Sequence, residues 1–498
     1  MDVTTLIFLS SGLFLGWSLG SNDAANVFGT AVGSRMVRFV TAAILCSVFV
    51  ILGAVVSGAG AAHGLGQLGA VNALPGSFVV ACAAGLTVYG MTKASLPVSA
   101  TQAIVGAIIG WNVFSGSRTD MGALTKIVGT WVACPILGAV FSAVLYTVVV
   151  RVIYRSKLHL LRLDAYTRAG LIVAGILGAY SLGANNIANV MGVFVSSSPF
   201  TEFRLAGLVR VTSVQQLFLL GGVAIAVGVF TYSKRVMMTV GTSLMPLNPV
   251  AAFVVVVSHS LVLLIFSSQG LASFLVSLGL PPIPLIPVSS SQAVIGAVIG
   301  IGLLHGVKGA RQIRWGVLLK IASAWVTTPI LAAVMSLALL FVVQNVFNQR
   351  VYQQVHHELS EDVLARLARA GLPVEKLAVL KDANIAGAIA FRNALREQAA
   401  LSPEQEELAI SSAEVCELRV TAEAAAALDD ELLTAEQRKA VAALAGLSFR
   451  HKWQLLDALT ARSDSWKKRP GTAVNRPFNK RLDEQLDALY RTCRAPEE

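Results

Sequence analysis

Acidic residues are almost absent from the first 349 positions of this chain: of its 28 Asp and Glu residues, only Asp2, Asp23, Asp120, Asp164 and Glu202 lie there. Between them run apolar stretches of about 20 residues, the length an α-helix needs to cross the hydrocarbon core of a bilayer. Ten can be read, near 4–20, 39–60, 74–93, 97–113, 122–150, 169–190, 208–232, 249–285, 287–304 and 315–347, the 249–285 stretch being long enough for two. Only 13% of all residues are charged, against about 25% in soluble domains, and mean hydropathy is +0.68. A soluble globule is excluded for the first 347 residues.

Eighteen of the 39 Lys and Arg residues fall in the same part, so the formal charge of +11 belongs to it. They punctuate the apolar runs instead of lining one polar face, which argues against nucleic acid. They read as cytoplasmic loop charges: Arg35, Arg38, Lys93, the cluster Arg151, Arg155, Lys157, Arg162 and Arg168, then Lys234, Arg235, Lys308, Arg311 and Arg314. This threading describes an integral protein of a bacterial inner membrane with both termini outside, the tail leaning extracytoplasmic. The opening run lacks a basic n-region and is followed by Asn22-Asp23, so it reads as a spanning segment and not a signal peptide. Five cysteines without a CxxC spacing, and His63, His159, His259 and His305 scattered without ligand spacing, imply neither a disulfide framework nor a zinc site. No nucleophile, base and orienting group recur together, so an enzyme is not expected.

Three blocks recur in order on the two sides of the basic cluster. SLGSNDAANVFG (18–29) matches SLGANNIANVMG (181–192), PVSATQAIVGAIIG (97–110) matches PVSSSQAVIGAVIG (287–300), and KIVGTWVACPILGAV (126–140) matches KIASAWVTTPILAAV (320–334). The chain therefore reads as an all-α polytopic membrane protein of two inverted-topology repeats with broken helices or re-entrant hairpins, plus a C-terminal soluble helical domain. The expected boundaries are 1–150 for the first repeat, 151–168 for a basic connecting loop, 169–347 for the second repeat and 348–498 for the soluble domain.

Polar groups at membrane depth cost several kcal/mol unless something compensates them. A lone intramembrane Asn usually bridges helices, but duplication of Asn22, Asp23 and Asn26 as Asn185, Asn186 and Asn189 favours a shared site. Interrupted helices in paired repeats point to a transporter site, where helix N-termini face an anion and freed carbonyls hold cations. Gly20 and Gly183 are expected to permit the breaks. Asp23, the one carboxylate placed within a span, is the candidate for Na⁺ or for a titrating proton, with Asn186, Gln102 and Gln292 beside it. Asn22, Asn26, Asn185, Asn189, Ser99, Ala100, Thr101, Ser289, Ser290 and Ser291 are the candidates for an oxyanion at helix N-termini. For any single hydroxyl, N-capping next to Pro97 or Pro287 is an equally good reading. Trp131, Pro135, Trp325 and Pro329 read as packing and kink features.

At these residues the chain resembles the PiT family of inorganic phosphate transporters, whose duplicated signature reads close to Gly-Ala-Asn-Asp-Val-Ala-Asn-Ala; 20–27 and 183–190 look like its two copies. The family's PVS-[ST]-T-[HQ] element is matched at 97–102 and 287–292, so the likeness spans roughly 1–347. It implies symport of phosphate with Na⁺ or H⁺ by alternating access, with no further cofactor. The chain departs from many members in carrying Asn186 in place of Asp and Gln102 and Gln292 in place of His, which keeps a sulfate or related oxyanion permease as an alternative. A nutrient sensor signalling through the tail is a further one. The expected partners are phosphate, the coupling ion and the lipid bilayer, with homodimerisation left open.

Overall fold

The structure is a computed structural model that describes residues 3–69, 71–93, 98–157, 159–201, 203–205, 209–243, 247–280, 283–423, 433–470 and 475–494. Asp2, Pro97 and Glu202 lie outside the described residues. The chain forms two compact units.

The first unit comprises 1–114, 119–272 and 283–353. Up to residue 345 the helices are α1 (Val3–Gly33), α2 (Phe39–Ser57), α3 (Ala59–Gly66), α4 (Leu74–Lys93), α5 (Ala100–Ser115), α6 (Met121–Ser156), α7 (Leu160–Met191), α8 (Ser213–Thr231), α9 (Ser233–Ser243), α10 (Pro249–Ser267), α11 (Gln269–Ser277), α12 (Ser290–Leu304), α13 (Gly306–Gln312) and α14 (Trp315–Asn345), all in this unit except the end of α5 and the last five residues of α11. A short antiparallel hairpin, β1 (Phe203–Leu205) and β2 (Val209–Val211), precedes α8.

Among the described residues eight helices, α1, α2, α4, α6, α7, α8, α10 and α14, are long and apolar enough to cross a membrane. Their packing follows the logic of lipid as solvent. From Val128 to Val152, every fourth residue of α6 is an exposed Val or Ile. β-Branched residues are modest helix formers in water, but in hydrocarbon every backbone group must bond internally, and the helix is the local way to do so. The opposite faces bury small and polar residues, among them Thr130, Cys134, Gly138 and Ser142 on α6.

Four expectations need correction. The ten spans resolve into eight full helices and two short ones. At 1.5 Å per residue α5 and α12 are about 24 and 22 Å long, short of a hydrocarbon core of about 30 Å. The stretch 249–285 divides into α10 and the nine-residue α11.

The basic segment 151–168 is not a loop. Helix α6 runs to Ser156, Lys157 takes a left-handed conformation, and His159 caps α7 by accepting from the Leu161 N–H. Its basic residues sit on helix ends that continue past the apolar stretch.

Neither copy of the Asn motif breaks its helix: α1 and α7 run unbroken through it. Gly20 and Gly183 serve close packing instead, since a Cβ at Gly20 would overlap the Ile225 carbonyl oxygen of α8 and one at Gly183 that of Val50 in α2. Each signature helix thus packs tightly on the second helix of the other copy.

The second compact unit begins after Gln353, where the expected boundary was 348. Residues 349–353 are tied into the first unit, where the Trp111 Nε1–H donates to the Val351 carbonyl at 3.1 Å and Asn72 exchanges two hydrogen bonds with the Gln353 backbone.

The second unit comprises 354–498 with 115–118 and 273–282. Its helices carry soluble-protein signals. Glu361–Arg369 opens on Glu361 and Asp362 and closes on Arg366 and Arg369, matching the helix dipole. Pro403–Ala413 and Ala435–Ala442 begin with capping boxes at Ser402/Gln405 and Thr434/Gln437. Two apolar clusters form, one around Leu359, Leu367 and Phe391, the other around Leu455, Trp466 and Leu486. Residues 115–118 join the unit because Arg118 pairs with Glu407 and the Ile389 N–H donates to the Gly116 carbonyl.

Candidate functional site

Helices α1 and α7 bury the two Asn motifs, and the N-termini of α5 and α12 carry the two PVS motifs. Many of the polar groups that the sequence singled out are buried and hydrogen-bonded to one another, the largest set centred on Asp23 and Asn186. Asn186 on α7 donates from Nδ2 to Asp23 Oδ2 on α1 at 2.9 Å, which joins the two copies directly. Asn22 donates to the other carboxylate oxygen at 3.2 Å. The Asn186 oxygen in turn accepts from Asn185 at 2.7 Å and from Asn189 at 3.3 Å. Asn189 also donates to Thr101 Oγ1 at 2.9 Å, and Thr101 donates to the Val288 carbonyl at 3.3 Å.

Asn185 grips the chain just before α12. Its Nδ2 donates to the Val288 carbonyl at 2.8 Å and its Oδ1 accepts from the Val288 N–H at 2.8 Å. With a second donation to Asn186, both amide protons are used. Asn185 therefore holds the extended residue Val288 in place, and the two donors of Asn189 are committed in the same way. Neither offers a free N–H to an anion in this state. Asn22 and Asn26 each have one donated amide hydrogen bond and retain a second proton.

Ser99 and Ser289 are N-caps, accepting from the Gln102 and Gln292 N–H groups, so the capping reading holds for both. Ser289 Oγ also lies 3.2 Å from Ser291 Oγ. Asn26 donates to Ser290 Oγ at 3.0 Å. Ala100 brings no polar side chain and contributes only the opening backbone turn of α5.

Among the candidate site residues, three buried side-chain oxygens, Gln102 Oε1, Gln292 Oε1 and Asn189 Oδ1, have no hydrogen-bond partner. Buried acceptors are normally satisfied, and two of these three are the matching Gln of each PVS motif. Unsatisfied amide oxygens, like the Asp23 carboxylate, are ligands of the kind a hard cation takes, while the N-termini of α5 and α12 favour negative charge. The arrangement can hold an anion and a cation together. One participant was missed from sequence: His259 of α10, whose Nε2 lies 2.9 Å from Ser290 Oγ.

A polytopic helical membrane protein whose buried polar groups surround two helix N-termini inside the bundle is the class these features define. The model of the phosphate transporter family matches residues 19–277 and 284–454. The chain belongs to that family. A candidate phosphate permease of Methanocaldococcus jannaschii is 26% identical over 335 residues, covering 67% of this chain and 96% of that protein. The chloroplastic inorganic phosphate transporter 2-1 of Arabidopsis thaliana is 22% identical, covering 66% and 70%. A solved structure described as the sodium-dependent phosphate transporter shares the fold with a TM-score of 0.55 at 24% identity, covering 69% of this chain and 99% of that one.

Proposed function

We propose that the protein carries inorganic phosphate across the membrane in symport with Na⁺, by alternating access of two inverted repeats around the site at Asp23. The observation that carries this reading is the Asp23–Asn186 contact across the two copies, a buried carboxylate held by the matching motif of the other copy. Phosphate would lie against the first turns of α5 and α12, with the spare amide protons of Asn22 and Asn26 and the hydroxyls of Ser290 and Ser291 as donors. The cation would sit at Asp23 and the unpartnered amide oxygens, with Asn186 steering the carboxylate. Its charge offsets the repulsion that Asp23 alone would exert on the anion, so each ligand favours the other's binding. That mutual dependence is the physical basis of coupling.

Labelled phosphate uptake into proteoliposomes tests the reading, with and without an inward Na⁺ gradient and with sulfate as competitor. Na⁺-stimulated uptake that sulfate leaves untouched, and that Asp23→Asn abolishes while the variant purifies and melts normally, is the expected result. Uptake indifferent to Na⁺ but driven by a pH gradient would reassign the coupling ion. Sulfate blocking would reassign the substrate, and full activity in Asp23→Asn would remove Asp23 from the mechanism.

A further inference from the structure

We propose that His259 is a positioning residue for anion recognition, one that commits the Ser290 hydroxyl to donating its proton to the bound oxyanion. The inference rests on the placement of phosphate at the N-terminus of α12.

Ser290 Oγ has two hydrogen-bond neighbours in the structure. Asn26 Nδ2 can only donate, and at 3.0 Å it occupies one lone pair. His259 Nε2 stands at 2.9 Å and can play either role, depending on where the ring carries its proton. The other ring nitrogen, Nδ1, is buried with no partner. A proton on Nδ1 would leave a buried N–H unmet, whereas a proton on Nε2 leaves only a lone pair unmet, and orphaned buried N–H groups are the rarer of the two. The assigned tautomer therefore donates from Nε2 to Ser290. Both hydroxyl lone pairs are then filled, and the single Ser290 proton is free to point at a ligand. An O–H whose oxygen accepts twice is also polarised into a stronger donor. A group so arranged binds an acceptor oxygen, as an oxyanion provides.

The two copies support the pairing. In the aligned PVS motifs Ser290 stands where the first copy has Ala100. Counted from the proline that opens each helix, Pro249 in α10 and Pro75 in α4, His259 stands where the first copy has Gly85. The hydroxyl and its imidazole are present together in one copy and absent together in the other. At the first copy's PVS motif the equivalent amide, Asn189 of the second copy, turns to Thr101 instead. The device is thus a feature of one half of the site and not of the fold.

The test is the phosphate KM in proteoliposomes for His259→Leu, His259→Gln, Ser290→Ala and the Leu/Ala double variant, with melting temperature in detergent as a folding control. Loss of one aligned donor predicts about a tenfold rise in KM for His259→Leu, with the Na⁺ dependence kept. Gln carries an N–H to the same reach and is expected to stay within about threefold of the native value. Ser290→Ala should match His259→Leu, and the double variant should be no worse than either. Additive effects in the double variant, a Gln variant as impaired as Leu, or a raised KM in Ser290→Ala with none in His259→Leu would each overturn the proposal. An unchanged KM in Ser290→Ala would instead show that phosphate does not bind at Ser290, and would overturn the site placement beneath it.

Discussion

Asp23 and Asn186 meet at 2.9 Å, and that pair decides how much charge the site holds when nothing is bound. Replacing Asn186 by Asp removes the amide donor and sets two carboxylates face to face, which cannot both stay ionised at that separation without a cation or proton between them. The expected outcome for Asn186→Asp is a lower melting temperature in Na⁺-free choline buffer and recovery on adding Na⁺, by a larger margin than the native protein shows; equal Na⁺ shifts in the two proteins would remove the cation from this pair. The residues of this pair were legible in the sequence because a polar group in an apolar run is costly, and a duplicated one is a signal. His259 was not, since a single histidine on an apolar helix has no pattern; only the comparison of α4 with α10 sets it apart. The commitment of Asn185 to the Val288 backbone was also invisible, because it depends on a contact between residues 103 positions apart.

The Gly20 position in α1 shows what element packing demands. A Cβ there would run into the Ile225 carbonyl, and backbone cannot yield as a side-chain tip can. Gly20→Val is expected to cost at least about 1–3 kcal/mol of stability, visible as a loss of monodisperse protein on gel filtration or a drop of several degrees in melting temperature; a variant that purified and melted as native would mean that α1 and α8 are not in this contact. The sequence offered Gly20 and Gly183 as breaks, and the structure uses them as contact points, two roles that the local pattern does not separate. In the second unit, the Arg396 guanidinium donates two hydrogen bonds to Glu406, at 2.6 and 3.0 Å, linking helices Ala388–Gln398 and Pro403–Ala413. Hydrogen bonding to Arg396, partly opposed by burial, holds the Glu406 carboxyl below its usual range. A depressed folded value stabilises above the unfolded value of about 4.3 and is lost as pH falls through the folded one. Thermal unfolding followed between pH 6 and pH 3 should therefore show an acid-sensitive component that Glu406→Gln lacks; identical acid profiles would refute the assignment.

For the whole molecule, the ten apolar stretches reported ten membrane-associated helices because hydrophobic length is a direct physical requirement. Which of them stop short followed only from where α5 and α12 begin. The grouping of 115–118 and 273–282 with the tail lay beyond sequence reasoning, since the first reads as an ordinary loop and the second as part of the apolar stretch 249–285. The helices after Gln353 are capped and dipole-matched, and within the basic run 467–469 Lys468 pairs with Asp483 at 2.6 Å and Arg469 lies 3.9 Å above the Phe478 ring. The copies themselves differ where it matters most, with a carboxylate, a hydroxyl and an imidazole each present on one side alone. A carrier built from two perfectly matched halves could run forward and backward with the same speed at matched gradients. With the cation at Asp23, as proposed above, its charge would sit nearer one half than the other, so the step that empties the site inward and the step that empties it outward would face different barriers, and influx and efflux would be distinct kinetic events.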